Sequence, residues 1–172
     1  MTATGEQPAW LERRIATLAM SEPPPWLPQL LLASDFAWEV LRRDGDVRAG
    51  LAQWVHDDRP LASRCPQPVP ADGADAADFG TALRRFRRAQ SVRLIARDLL
   101  GLDTVADTLA AASELADTCI GLALTRAVAA ISARHGPLLT ADGQPSLPIV
   151  FALGKLGGHE LNFSSDVDLV FA

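Results

Sequence analysis

Apolar residues recur at helical spacing over most of the first 137 positions. Trp10, Leu11, Ile15 and Leu18 share one face of a first helix, which the Ser-Glu-Pro-Pro-Pro block at 21–25 stops. A second helix is predicted from about Pro28 to Arg43, with Leu32, Phe36 and Val40 at steps of four, and Asp-Gly-Asp at 44–46 breaks it. Asp46 is placed to cap a short helix carrying Leu51, Trp54 and Val55. Residues 59–73 hold four prolines and read as an extended loop. Phe79, Leu83, Phe86, Ala89, Val92, Ile95 and Leu99 then recur at steps of three or four, and Gly101 suits the C-terminal cap. Asp103 and Ser113 look like successive caps ahead of an apolar stripe of Leu115, Ile120, Leu124, Val128 and Ile131, which His-Gly-Pro at 135–137 ends.

Beyond that point the period changes. Ala-Asp-Gly-Gln-Pro-Ser at 141–146 reads as a turn-rich linker. LPIVFAL at 147–153 reads as a buried strand, and VDLVFA at 167–172 as a second one. The expected fold class is α+β, with a helical region over 1–145 leading into the beginning of a sheet domain over 146–172.

Composition narrows the function classes. Apolar residues make up 48% of the chain and charged ones 22%, enough for a real core with an ordinary surface. A net charge of −5 argues against bulk nucleic-acid binding, which needs many cations on phosphates. Two cysteines make no disulfide framework; Cys119 reads as a small buried residue and Cys65 as an exposed thiol. No basic segment followed by an apolar run opens the chain, so no signal peptide is expected. The most apolar stretch, about 120–131, is broken by Arg126 and reads as too short for a bilayer. A cytoplasmic protein without nucleic-acid or membrane partners is the expectation.

The candidate chemistry lies in GKLGGHELNFSSDVD at 154–168. It contains the chain's only lysine, Lys155, and its only asparagine, Asn162; every other basic residue is Arg. In a strand, Asp166 and Asp168 project to one face, while Val167, Leu169 and Phe171 project to the other and can be buried. Neighbouring carboxylates repel, so such a pair calls for a cation or a raised pKa. Hard Mg²⁺ takes carboxylate and phosphate oxygens. Gly154, Gly157 and Gly158 let a phosphate approach the backbone, Ser164 and Ser165 add hydroxyl donors, and Lys155 adds a compact charge. A bare D-x-D is more often a solvated edge strand; the glycines, lysine and serines beside it are what shift the balance. The segment is not a Walker A loop, since Ile149 and Leu156 stand where Gly and Ser or Thr are needed. Nor does it have the dinucleotide-binding G-x-G-x-x-G spacing or the oxygen ligands of an EF-hand.

A strand, a Gly-containing turn and Asp-x-Asp about ten residues on resemble the nucleotidyltransferase superfamily, which includes the polymerase β fold. The wording GKLGG, ELNFSSDVDLVF is narrower and resembles the glutamate–ammonia ligase adenylyltransferase family, whose members are bifunctional enzymes that adenylylate and deadenylylate glutamine synthetase. The LNFSSD form is similar to that of the family's N-terminal, adenylyl-removing half. LRRFRRAQSVRLIARDLLG at 83–101 and ELADTCIGLAL at 114–124 agree with it. AQSV at 89–92 and His159 depart from the family pattern without touching the aspartates.

The resemblance implies a polymerase β-like mixed sheet. It implies Asp166 and Asp168 as catalytic Mg²⁺ ligands, with Gly154, Lys155, Gly157, Gly158, Ser164 and Ser165 holding phosphates. It further implies glutamine synthetase as protein substrate, ATP, ADP and phosphate as small-molecule partners, and control by the PII signalling protein. Enzymes of the superfamily take a third carboxylate from a later strand. The chain ends at Ala172, in the strand expected to carry Asp168, so the expectation is a truncated domain that is inactive alone. The alternative is a non-catalytic helical docking module, which needs neither Lys155 nor the aspartates. Arg84, Arg85, Arg87, Arg88, Arg93 and Arg97 crowd one helix and read as a solvated face; the functional alternative is a surface for a nucleotide or an acidic partner. His56, His135 and His159 read as helix-end or solvent-facing residues, and the four Trp as packing residues.

Overall fold

The computed structural model describes residues 8–58 and 76–172; the proline-rich stretch at 59–73 lies outside the described residues. The helices are α1 (Ala9–Leu18), α2 (Leu27–Ala33), α3 (Asp35–Arg43), α4 (Gly45–Val55), α5 (Ala76–Leu99), α6 (Val105–His135) and α7 (Gly154–Gly157). The strands are β1 (Val150–Ala152) and β2 (Leu169–Phe171). Their contacts divide the chain into two compact units, one up to Val105 and one from Ala106. The architecture is α+β and mostly helical, with a small antiparallel sheet.

In the first unit, α1 to α5 pack around a leucine-rich core that includes Leu11, Leu18, Leu30, Leu31, Leu41, Leu51 and Val92. The single helix expected from Pro28 to Arg43 is two helices. Ser34 is extended, at φ −144° and ψ 106°, and its Oγ accepts from the Ala37 N–H at 3.1 Å, so the chain restarts as α3. That break reassigns the inward face. Leu32 and Phe36 are exposed, and Leu30, Leu31, Ala37, Val40 and Leu41 are the buried residues. The cap of α4 is Asp44 rather than Asp46: its Oδ1 accepts from the N–H groups of Asp46 and Val47, both at 3.2 Å. Arg85 reaches across from α5 to Asp44 and Asp46. Its hydrogen bond holds the Asp44 carboxyl below its ordinary range, against the opposing effect of burial.

The α5 arginines are not one solvated face. Arg84, Arg85, Arg87 and Arg88 are exposed, whereas Arg93 and Arg97 are 1% and 8% exposed. Both buried arginines serve the end of α4, whose last carbonyls have no helical partner. Arg93 Nε donates to Trp54 O at 2.6 Å and its Nη2 to Asp57 O; Arg97 Nη1 donates to Val55 O at 2.7 Å. Arg97 also makes a two-pronged contact with Asp103, Nε to Oδ2 at 2.6 Å and Nη2 to Oδ1 at 2.5 Å, and pairs with Asp58 at 2.8 Å. Asp103 is therefore a partner of Arg97, not the cap expected of it. Gly101 does close α5 as expected: at φ +64° it donates to Asp98 O, while Leu102 N–H reaches Arg97 O, the Schellman pattern.

Ala19, after α1, holds the same left-handed backbone, at φ 49°, without being glycine. A Cβ there costs about 1–2 kcal/mol, and glycine returns about 0.4–1 kcal/mol of that through unfolded-state entropy. Ala19→Gly is expected to stabilise the unit by roughly 0.5–1 kcal/mol. Thermal unfolding followed by circular dichroism checks this; an unchanged or lowered midpoint would refute it.

In the second unit, α6 runs unbroken for 31 residues through Ser113, which is not a cap. Ser113 is buried; its Oγ donates to Leu109 O at 2.9 Å and accepts from Leu161 N–H at 3.1 Å. Of the expected apolar stripe, only Leu115 is buried, and Ile131 is exposed. The helix is longer than the stretch read from the sequence, and by length and composition it is long and apolar enough to cross a bilayer. Core helices of soluble proteins share that length and composition, and Arg126 lies within this one. The linker at 141–146 is part of a tight hairpin: Leu139 bridges Pro145, Thr140 N–H donates to Gln144 O at 2.8 Å, and Gly143 turns at φ +79°. Both strands are shorter than expected. They pair Val150 with Phe171, Phe151 with Val170 and Ala152 with Leu169. Backbone bonds extend this register to Ile149 with Ala172 and Leu153 with Asp168.

Candidate functional site

Asp166 and Asp168 lie just before β2 rather than inside it. Asp168 still belongs to the ladder, because its carbonyl accepts from Leu153 N–H at 3.0 Å. The pleat therefore puts Asp168 on the same face as Phe151 and Val170. The opposite face carries Val150, Ala152 and Leu169, all half-buried. The expectation that Val167, Leu169 and Phe171 are buried together holds only partly: Leu169 is half-buried, whereas Val167 and Phe171 are exposed, Phe171 by 64%. Two strands have too little covering material to bury an apolar row.

The segment between the strands is one helical turn and a fixed loop. Leu156 and Leu161 are buried and anchor it. The turn closes by a Schellman pair, His159 N–H to Leu156 O at 3.0 Å and Glu160 N–H to Lys155 O at 2.8 Å, with His159 left-handed at φ 55°. Ser113 then takes the Leu161 N–H from α6. Asn162 builds the next turn. Its Oδ1 accepts from Ser164 N–H at 3.2 Å and Ser165 Oγ at 2.6 Å, and its carbonyl accepts from Ser165 N–H at 3.3 Å. Asn162 stood out in the sequence only as a lone asparagine; its part here is to aim both serines.

These constraints gather Leu153, Gly154, Lys155, Asn162, Ser164, Ser165, Asp166 and Asp168 around one cavity of about 360 Å³. Of the residues singled out by sequence, Gly157 and Gly158 lie outside that lining. Gly157 has another reason to be glycine: a Cβ there would stand 2.4 Å from Ala152 O, so it lets α7 close on β1. Gly158 caps α7 at φ −87°, a conformation open to any residue. Gly154, at φ +58°, is the glycine of the cavity wall.

Two carboxylates able to hold a cation, with an ammonium and the Ser164 hydroxyl able to donate to anionic oxygens, line one open cavity. Residues 27–172 match the family model described as glutamate-ammonia ligase adenylyltransferase, and the chain belongs to that family. Its relatives include the bifunctional glutamine synthetase adenylyltransferase/adenylyl-removing enzymes of Xanthomonas campestris pv. campestris and Pseudomonas aeruginosa. The first is 45% identical over 95% of this chain and 18% of its own length. The second is 36% identical over 95% of this chain and 16% of its own length. The chain thus spans less than a fifth of the length of the curated relatives it matches.

Proposed function

We propose that residues 146–172 begin the nucleotidyl-transfer site of a glutamine synthetase adenylyltransferase/adenylyl-removing enzyme, in the half that removes AMP by phosphorolysis. The observation that carries this reading is the convergence of Gly154, Lys155, Ser164, Ser165, Asp166 and Asp168 on one cavity. The reaction would join a phosphate oxygen to the adenylyl phosphorus and break the bond to the tyrosyl oxygen, which takes up a proton; ADP leaves.

In this reading Lys155 holds a non-bridging phosphate oxygen through its ammonium. The Ser164 hydroxyl donates to a neighbouring oxygen, while Ser165, whose hydroxyl proton goes to Asn162 Oδ1, holds the turn that presents it. Asp166 and Asp168 would hold Mg²⁺, and bound Mg²⁺ would neutralise charge developing on the transferred phosphoryl group. The residues fit that ion, which is commonly held by one or two carboxylates with substrate phosphates completing its shell. No group of three or more His, Cys, Asp or Glu suited to a metal occurs among the described residues, so substrate oxygens are needed for the rest. ATP as a further substrate, a cytoplasmic setting and regulation by the PII signalling protein belong to the same proposal.

The test is release of ADP from adenylylated glutamine synthetase by the full-length enzyme containing this segment. Release should require phosphate and Mg²⁺ and disappear in Asp166→Asn. Phosphate-independent release of AMP would overturn the phosphorolytic direction. Asn162→Ala is expected to lower kcat/KM about 10- to 100-fold by misplacing the serines, with little change in thermal stability because Asn162 is exposed. A wild-type kcat/KM in that variant would remove Asn162 from the positioning of the site.

A further inference from the structure

The first unit carries a second cavity, of about 480 Å³, between α3 and α5. One wall is the α3 stripe Phe36, Glu39, Val40 and Arg43; the other is the α5 stripe Thr81, Arg84, Arg85 and Arg88. Each stripe follows the i, i+3, i+4, i+7 spacing of a single helix face. Phe36 is 41% exposed over buried Val40 and gives the groove an apolar floor. The arginines on its rim differ in commitment. Arg85 is held by Asp44 and Asp46, and Arg43 by Glu39 at 3.0 Å. Arg84 donates only to Thr81 Oγ1 at 3.1 Å, and Arg88 has no hydrogen bond or ion pair among the described residues. The lining carries four arginines against Glu39 and Asp44, a local positive excess in a chain of net charge −5.

From this we infer that the α3–α5 groove docks an acidic amphipathic helix of a partner protein. Arg84 and Arg88 are four residues apart on one helix, so their Cα atoms are separated by about 6 Å along its axis. Carboxylates at i and i+4 on a partner helix have the same rise, and guanidinium groups pair with carboxylates in a two-pronged geometry. An apolar side chain of that helix would rest on Phe36 and Val40, the groove-binding mode of amphipathic helices. A free phosphate makes no use of the apolar floor. This inference is independent of the nucleotidyl-transfer reading, since every residue it uses lies between 36 and 88.

The test uses the whole chain and a fluorescein-labelled helical Ala–Leu–Glu peptide with Glu at every fourth position, followed by anisotropy at low salt. The peptide should bind. Arg84→Glu/Arg88→Glu should weaken binding at least about tenfold, as expected for losing charge-assisted pairs. Phe36→Ala should weaken it by a similar factor, and Arg13→Glu, on exposed α1 surface, should leave it unchanged. Arg84→Gln/Arg88→Gln, with a wild-type circular dichroism spectrum, provides the same comparison if charge reversal harms folding. Equal binding by the arginine variants, equal binding of a Lys-for-Glu peptide, no binding by the wild type, or displacement by pyrophosphate with no effect of Phe36→Ala would each overturn the inference; the last would mark a simple anion site.

Discussion

Arg97→Met is expected to destabilise the first unit by about 3–5 kcal/mol, the usual cost of removing one partner from a buried ion pair. The Arg97 side chain is only 9% exposed, yet it supplies Val55 O, Asp103 and Asp58. Its own proton affinity is raised, first by the hydrogen bond to Asp103 and against the cost of burial. Methionine keeps most of the apolar stem but leaves the Asp103 carboxylate largely buried and the α4 carbonyl unmet. Against a total stability of roughly 5–15 kcal/mol, the loss would unfold a substantial share of a marginal protein. Urea unfolding followed at 222 nm measures it. Adding Asp103→Leu should recover part of the loss by removing the stranded charge. A loss below about 1 kcal/mol would mean that water serves the α4 terminus as well as the guanidinium does.

Asp168→Ala separates chemistry from folding. The bond that Asp168 gives to the sheet comes from its carbonyl, which alanine retains, and its side chain is exposed at the cavity. Stability should change by no more than about 0.5 kcal/mol. On the proposed reading, phosphate-dependent ADP release by the full-length enzyme should fall about 100- to 1000-fold or more, the scale on which removing a group that stabilises transition-state charge is felt. Initial-rate assays on the variant, with a thermal melt as control, test both halves. Turnover within threefold of the wild type would take Asp168 out of the reaction.

The sequence by itself determined the helical character of residues 9–55 and 76–135, because amphipathic spacing and glycine stops are local properties. Gly101 closes α5 and Gly136 follows the end of α6 for that reason. The turn between the two short strands was legible too, since glycine, asparagine and serine build turns from local hydrogen bonds. Tertiary structure decided what periodicity leaves open. Leu32 and Phe36 repeat like core residues but face out, because Ser34 restarts the helix and rotates its apolar stripe. Asp103 and Ser113 look like caps, yet their tasks are set by Arg97 and by Leu161, the latter 48 residues away. Arg93 and Arg97 read as surface charge until α4, some 40 residues earlier in the chain, brings its carbonyls to them. A buried polar group is defined by the partner that satisfies it. Where that partner comes from a distant element, only the packed chain can name it.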